Sequence, residues 1–185
     1  LLIDSKTNTN IGKSPLFPKY ETFADFLSNT IIGKRKHTIS EFFYRTQHIQ
    51  QLGGYQIYPA GYYADDASIL LFCNNNGIAS TEESLIVYRK SENNISSSSC
   101  WNVEKSKAAL KYYQWIIDEF PMKQQDEQII QQRLDFDLYT YFSAALNIHQ
   151  SIQILNCIPV NIWNWKKKLL CLYKFILNSY AKQIK

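Results

Sequence analysis

A change of hydrophobic period near residue 100 limits what this chain can fold into more than any other feature. From Val103 onward, apolar residues recur three and four positions apart, the spacing of one face of an α-helix. Ala109, Tyr113, Ile116 and Phe120 form one stripe, stopped by Pro121. Ile130, Leu134, Leu138, Phe142 and Ala145 form a second, and Leu169, Leu172, Tyr173, Ile176 and Tyr180 a third. Before residue 100 the apolar runs are short and broken by turn residues. The pattern predicts an α+β, mostly helical fold, with a small α/β portion over about residues 1–100 and helices after it. The strand-like runs are too few to complete a sheet, so the sheet is expected to continue upstream. The chain opens Leu-Leu-Ile-Asp rather than with Met and reads as an excised fragment.

Within the first portion, residues 20–32 predict a helix with Phe23, Phe26, Leu27 and Thr30 on one face, ended by Gly33. Lys34-Arg35-Lys36-His37 reads as a basic loop, and residues 38–44 as a short strand. Residues 45–52 predict a turn or two of helix stopped by Gly53-Gly54, where the backbone must bend sharply or approach a ligand. Asp65 or Asp66 suits the N-cap of a helix running to about residue 75. Residues 78–81 and 84–88 read as strands around a turn, followed by a polar, serine-rich loop.

Charge is placed unevenly. The net charge is +4, yet residues 138–185 hold six Lys and no Asp or Glu, and residues 1–137 net −2. A basic tail on an acidic body argues against a nucleic-acid binder, which would carry its basic stripe across the folded body. The tail has another use: Trp163-Asn164-Trp165-Lys166-Lys167-Lys168 leads into an amphipathic helix, a composition suited to an anionic membrane interface. Peripheral membrane contact is therefore expected through residues 163–185. No apolar run is long enough to span a bilayer. Cys73, Cys100, Cys157 and Cys171 lie far apart with no metal-ligand spacing, and reduced thiols of a cytoplasmic protein fit them best.

The chemistry-bearing residues come in a fixed order. Ser40-Glu41-Phe42 and Arg45 are followed by Gly53-Gly54-Tyr55, then Ala64-Asp65-Asp66-Ala67-Ser68, then Val87-Tyr88-Arg89 and Asn93-Asn94-Ile95-Ser96. A carboxylate at a helix start can act as a base, and the helix dipole favours its negative charge. An Arg at a strand end can grip phosphate oxygens with two parallel hydrogen bonds.

In order and spacing these pieces resemble the acceptor-side, C-terminal half of a family 2 glycosyltransferase of the GT-A type. The resemblance covers residues 1–120, leaving 121–185 as a helical extension with a basic amphipathic tail. It implies an inverting transfer of a sugar from a nucleotide-sugar donor to a glycan or lipid-linked acceptor, in bacterial surface polysaccharide or lipopolysaccharide assembly. Such an enzyme would work in the cytoplasm, on the inner face of the plasma membrane. The family's second acid is its base, which makes Asp66 the base and Asp65 its orienting neighbour. Gly53, Gly54 and Tyr55 correspond to the loop under the substrate. Glu41 and Arg45 correspond to the segment before the acceptor site, Arg89 to a diphosphate contact, and Asn94 to the loop closing over the site.

The resemblance also implies a divalent metal, Mn or Mg, in the full-length enzyme. Its ligands lie mostly outside this chain, in an N-terminal half carrying an Asp-x-Asp motif. The His that many members place two residues after the Arg is Ser91 here, so no metal is expected in the fragment, which is expected to be inactive alone. Asp135-Phe136-Asp137 has the motif's spacing but falls in a helical stripe, where it reads as a solvated face. The rival reading is a non-catalytic helical module that docks on a partner or membrane, with Asp65 and Asp66 as a helix cap.

Overall fold

The structure is a computed structural model that describes residues 2–4, 7, 9–12, 17–35, 39–74, 76–81, 86–90 and 97–183. The fold is α+β and mostly helical. Contacts divide the chain into two units: residues 1–57 with 63–97, and residues 58–62 with 98–185.

Among the described residues, every strand lies in the first unit. β1 (Leu2–Asp4) pairs antiparallel with β2 (Asn10–Gly12) and parallel with β5 (Tyr88–Lys90). β3 (Tyr20–Glu21) pairs antiparallel with β4 (Ile78–Ala79). The helices are α1 (Phe23–Ile31), α2 (Thr46–Gln51) and α3 (Ala64–Cys73). Thr22 starts α1: its Oγ1 accepts from the Asp25 amide at 3.2 Å and donates to the Asp25 carboxylate at 2.6 Å. Phe26, Leu27 and Ile31 then face inward. α3 is the centre of this unit, with Ala67, Ser68, Ile69, Leu70, Phe72 and Cys73 all buried.

Two expectations for this unit are corrected. Residues 39–41 form a 3-10 turn rather than a strand. The alternation that suggested a strand is real, since Phe42 and Tyr44 stack at 6.1 Å while Phe43 is exposed. It does not make a strand, since residues 42–45 find no ladder partner among the described residues. Arg35, read as part of a basic loop, is buried: its guanidinium lies 3.3 Å from the Phe17 ring centroid and 3.3 Å from the Glu21 carboxylate. Burial pulls its pKa below the ordinary value, opposed by Glu21 and Glu41.

The second unit is built from α4 (Asn102–Glu119), α5 (Gln124–Ser143), α6 (Ile148–Cys157) and α7 (Trp165–Gln183). The first two predicted stripes form its core: Ala109, Tyr113, Ile116, Phe120, Ile130, Leu134, Leu138 and Phe142 are buried. Side chains cross-link the helices. Asn102 Nδ2 donates to the Tyr141 carbonyl at 2.9 Å, and Gln150 Nε2 to the Ser99 carbonyl at 2.9 Å. Asn147 caps α6 by accepting from the Gln150 amide at 2.9 Å.

The third stripe behaves otherwise. Leu169, Tyr173 and Ile176 are exposed, and the inward side of α7 carries Cys171 with the half-buried Lys167, Lys168, Leu172 and Phe175. Asp137 departs from the solvated reading, while Asp135 stays half-exposed. Asp137 is buried, accepting from the Tyr113 hydroxyl at 2.6 Å and pairing with Arg133 at 3.5 Å. Asp135 pairs with Lys167 at 2.5 Å and accepts from the Trp163 indole N–H. Both carboxylates are structural ties between helices.

Candidate functional site

The candidate residues of the first unit are set by three pieces of chain around α3. The first is α2 and its stop. Helix formation from Thr46 ends at Leu52 because Gly53 and Gly54 both adopt positive φ, 83° and 86°. The Gly54 amide reaches back to the Ile49 carbonyl at 2.9 Å and the Gly53 amide to Gln50 at 3.2 Å, the paired bonds of a Schellman stop. A Cβ on either glycine would meet nothing within 4 Å. The two glycines thus answer a demand of backbone conformation, and no crowding neighbour requires them.

The second piece is residues 55–57. Tyr55 sets its ring edge against Phe72 at 5.5 Å while remaining 51% exposed. The Gln56 amide donates to Ser68 Oγ at 2.9 Å, and that hydroxyl donates to the Ala64 carbonyl at 2.6 Å. Ser68 is fully buried, so this relay ties the loop to the first turn of α3.

The third piece is the start of α3. Its N-cap is Tyr63, held at φ 65° without a side-chain cap bond. This corrects the expectation that Asp65 or Asp66 occupies the cap. Both acids instead stand inside the first turn, half-buried, where aligned backbone dipoles favour negative charge. Asp65 Oδ1 accepts from the Asp66 amide at 3.1 Å. Left-handed backbone also precedes the turn at Ala60, φ 53°, and at Gly61, φ 69°. Non-glycine residues at positive φ carry strain; Tyr63 stands two residues before Asp65 and Ala60 five residues before it.

Tyr44 joins these pieces and was not selected from the sequence. Its ring packs edge-on against Phe72 at 5.0 Å. Its hydroxyl is buried without a hydrogen-bond partner among the described residues. Burial pushes the phenol pKa well up, and Tyr55, Cys73 and Asp65 add to the rise. The phenol, Tyr55 and Asp65 therefore share one electrostatic neighbourhood. The only sequence signal was the period-two alternation of Phe42 and Tyr44. Stacked and edge contacts continue from Phe26 through Phe42 and Tyr44 to Phe72 and Tyr55.

The remaining candidates are placed as follows. Glu41 is half-buried and lies near Arg35, so it belongs with the Glu21–Arg35 pair. Arg45 is exposed at the start of α2, where its carbonyl accepts from the His48 and Ile49 amides. Arg89 lies on β5 opposite Ile3, with its side chain outside the described set. Asn94 and Ser91 lie outside the described residues. Gly53, Gly54, Tyr55, Asp65 and Asp66 thus lie on α3 or on the chain that packs against it, while Glu41 lies near Arg35 and Arg45 is exposed at the start of α2.

Among the described residues, no group of three or more His, Cys, Asp or Glu is placed to hold a metal ion. Burial pushes Cys73 up to about 12, which keeps this thiol protonated at neutral pH. A polar cleft of about 350 Å³ in the second unit is lined by Cys100, Glu104, Lys107, His149 and Gln153 among others, and by none of the selected residues. Comparison with known proteins finds no matching family model, curated relative or solved structure.

Proposed function

We propose that the first unit is the acceptor-side part of an inverting glycosyltransferase, acting on a nucleotide-sugar donor and a glycan or lipid-linked acceptor. The observation that carries this reading is the carboxylate pair in the first turn of the buried helix α3. It is led in by strained backbone at Tyr63, and Asp65 acts on the Tyr44 phenol, whose ring packs on Phe72 as that of Tyr55 does. In this reading Asp66 takes the proton from the acceptor hydroxyl as that oxygen attacks the anomeric carbon. The bond from that carbon to the diphosphate breaks, and the nucleoside diphosphate leaves with the electron pair. Asp65 holds the acceptor or Asp66 in line, and the exposed ring of Tyr55 offers an apolar face to a sugar. The role is cytoplasmic, in assembly of a bacterial surface polysaccharide.

A divalent metal would supply charge stabilisation to the leaving diphosphate. The described residues of this chain do not build a site for it, so no step here is assigned to it. The reading requires donor and metal contacts from residues outside this set.

The test is transfer by the full-length enzyme over a panel of nucleotide sugars with Mn or Mg, comparing wild type with Asp66→Asn. Loss of a positioned base predicts a fall in kcat of about 10²–10⁴-fold with the fold intact by circular dichroism. Turnover by the variant within a few-fold of wild type would remove Asp66 from the mechanism.

A further inference from the structure

We propose that α7 is a peripheral membrane helix that lies on anionic lipid through its outward face. The proposal stands independently of the catalytic reading. Trp165, Leu169, Tyr173 and Ile176 recur at helical spacing, with Leu170 and Leu177 beside them, and all six are exposed. Trp165 is 63% and Tyr173 59% exposed. A helix packed on a protein body normally turns such a stripe inward. Here apolar groups stand on both sides of the helix. The inward side carries Cys171, Leu172 and Phe175, with Phe175 against Phe142 at 5.9 Å, and two lysines, one paired with Asp135 at 2.5 Å and the other, Lys168, donating to the Ile158 carbonyl. The outward side keeps a second set of large apolar groups that nothing among the described residues covers. A contiguous apolar face of this kind marks an interaction surface.

Charge selects the occupant. The exposed Lys166 and Lys174 flank the stripe, and residues 138–185 contain no acid. A symmetric contact of this face with a second copy would bring these lysines together with no carboxylate on the helix to neutralise them. An anionic lipid surface meets both demands: acyl chains for the leucines and phosphate for the lysines, with Trp165 and Tyr173 suited to the headgroup boundary. No helix among the described residues is long and apolar enough to cross a membrane, so α7 lies along the surface.

The experiment is co-sedimentation of the full chain with vesicles of phosphatidylcholine alone and of equal parts phosphatidylcholine and phosphatidylglycerol. Sedimentation velocity without lipid is run in parallel. Binding is expected only to the mixed vesicles and is expected to weaken as salt rises. Lys166→Ala and Lys174→Ala are each expected to lower affinity about fivefold, and Leu169→Ser about tenfold or more. These side chains are exposed, so the variants are expected to keep the wild-type circular dichroism. Equal binding to both vesicles, or to neither, would overturn the proposal. So would self-association that Leu169→Ser abolishes, which would assign the face to a second copy.

Discussion

Glu21 and Arg35 give the sharpest energetic test of the first unit. Their side chains are only 4% and 5% exposed and approach to 3.3 Å. The guanidinium lies over the Phe17 ring at 3.3 Å and near Phe26 at 5.5 Å. Glu21 Oε1 accepts from Asn29 at 3.4 Å, but Glu21 Oε2 and Arg35 Nε and Nη1 have no hydrogen-bond partner among the described residues. The contact is therefore a charge pair with incomplete hydrogen bonding. Glu21→Gln keeps the volume and removes the charge, leaving a buried guanidinium opposed, among the described residues, by Glu41. Breaking a buried pair from one side costs about 3–5 kcal/mol, or about two to four orders of magnitude in the folded-to-unfolded ratio. Replacing both partners, Glu21→Leu with Arg35→Met, releases the unpartnered polar atoms, a gain of about 1–4 kcal/mol. It also loses the cation–π contacts, worth about 2 kcal/mol when desolvated. These terms nearly offset, so the double variant is expected within about 2 kcal/mol of wild type.

The assay must see the correct unit. Trp101, Trp115, Trp163 and Trp165 all lie in the second unit, so their fluorescence is a poor reporter of the first. Urea unfolding is to be followed by amide exchange at Phe26 and Leu70, in buried parts of α1 and α3. A Glu21→Gln cost below about 1 kcal/mol, the range of a solvent-screened pair, would refute the reasoning by showing that the guanidinium reaches water.

Two further outcomes are expected. Gly77→Ala should destabilise the first unit by about 1–3 kcal/mol, because Gly77 sits at φ 66° and a Cβ there would collide with the Glu21 carbonyl; urea midpoints read by amide exchange check it. The first unit should also lose stability between about pH 9 and pH 12. Cys73 rises from 9.0 to about 12 on folding, so in that window the unfolded chain releases a proton that the folded chain keeps. Cys73 by itself contributes a slope of at most about 1.4 kcal/mol per pH unit, the raised Tyr44 phenol adding to it above pH 10, and Cys73→Ala should remove the Cys73 part of the alkaline loss.

Much of the local structure was legible because helical periodicity and turn chemistry act over a few residues. The Gly53-Gly54 stop, the helix from Thr46 to Gln51 and the buried stripes on α4 and α5 all follow from neighbours within a turn or two. The spacing that brought Asp65 and Asp66 to attention is equally local. The cap was misread because Asp is favoured both at the N-cap and in the first turn, and only the left-handed backbone of Tyr63 places the boundary.

Other features depended on partners distant in sequence. Tyr44 enters the electrostatic neighbourhood of Asp65 only because Phe72 receives its ring. Arg35 left its basic run for the core once Glu21, Phe17 and Phe26 surrounded it. Asp137 was buried once Tyr113 reached it, and the half-exposed Asp135 gained Trp163 and Lys167 as partners. Sequence alone determined which segments become helical and which side of α7 is apolar, since both follow from backbone propensity and period. Only the tertiary structure decided that this side faces outward, because burial depends on which residues far along the chain come to cover it.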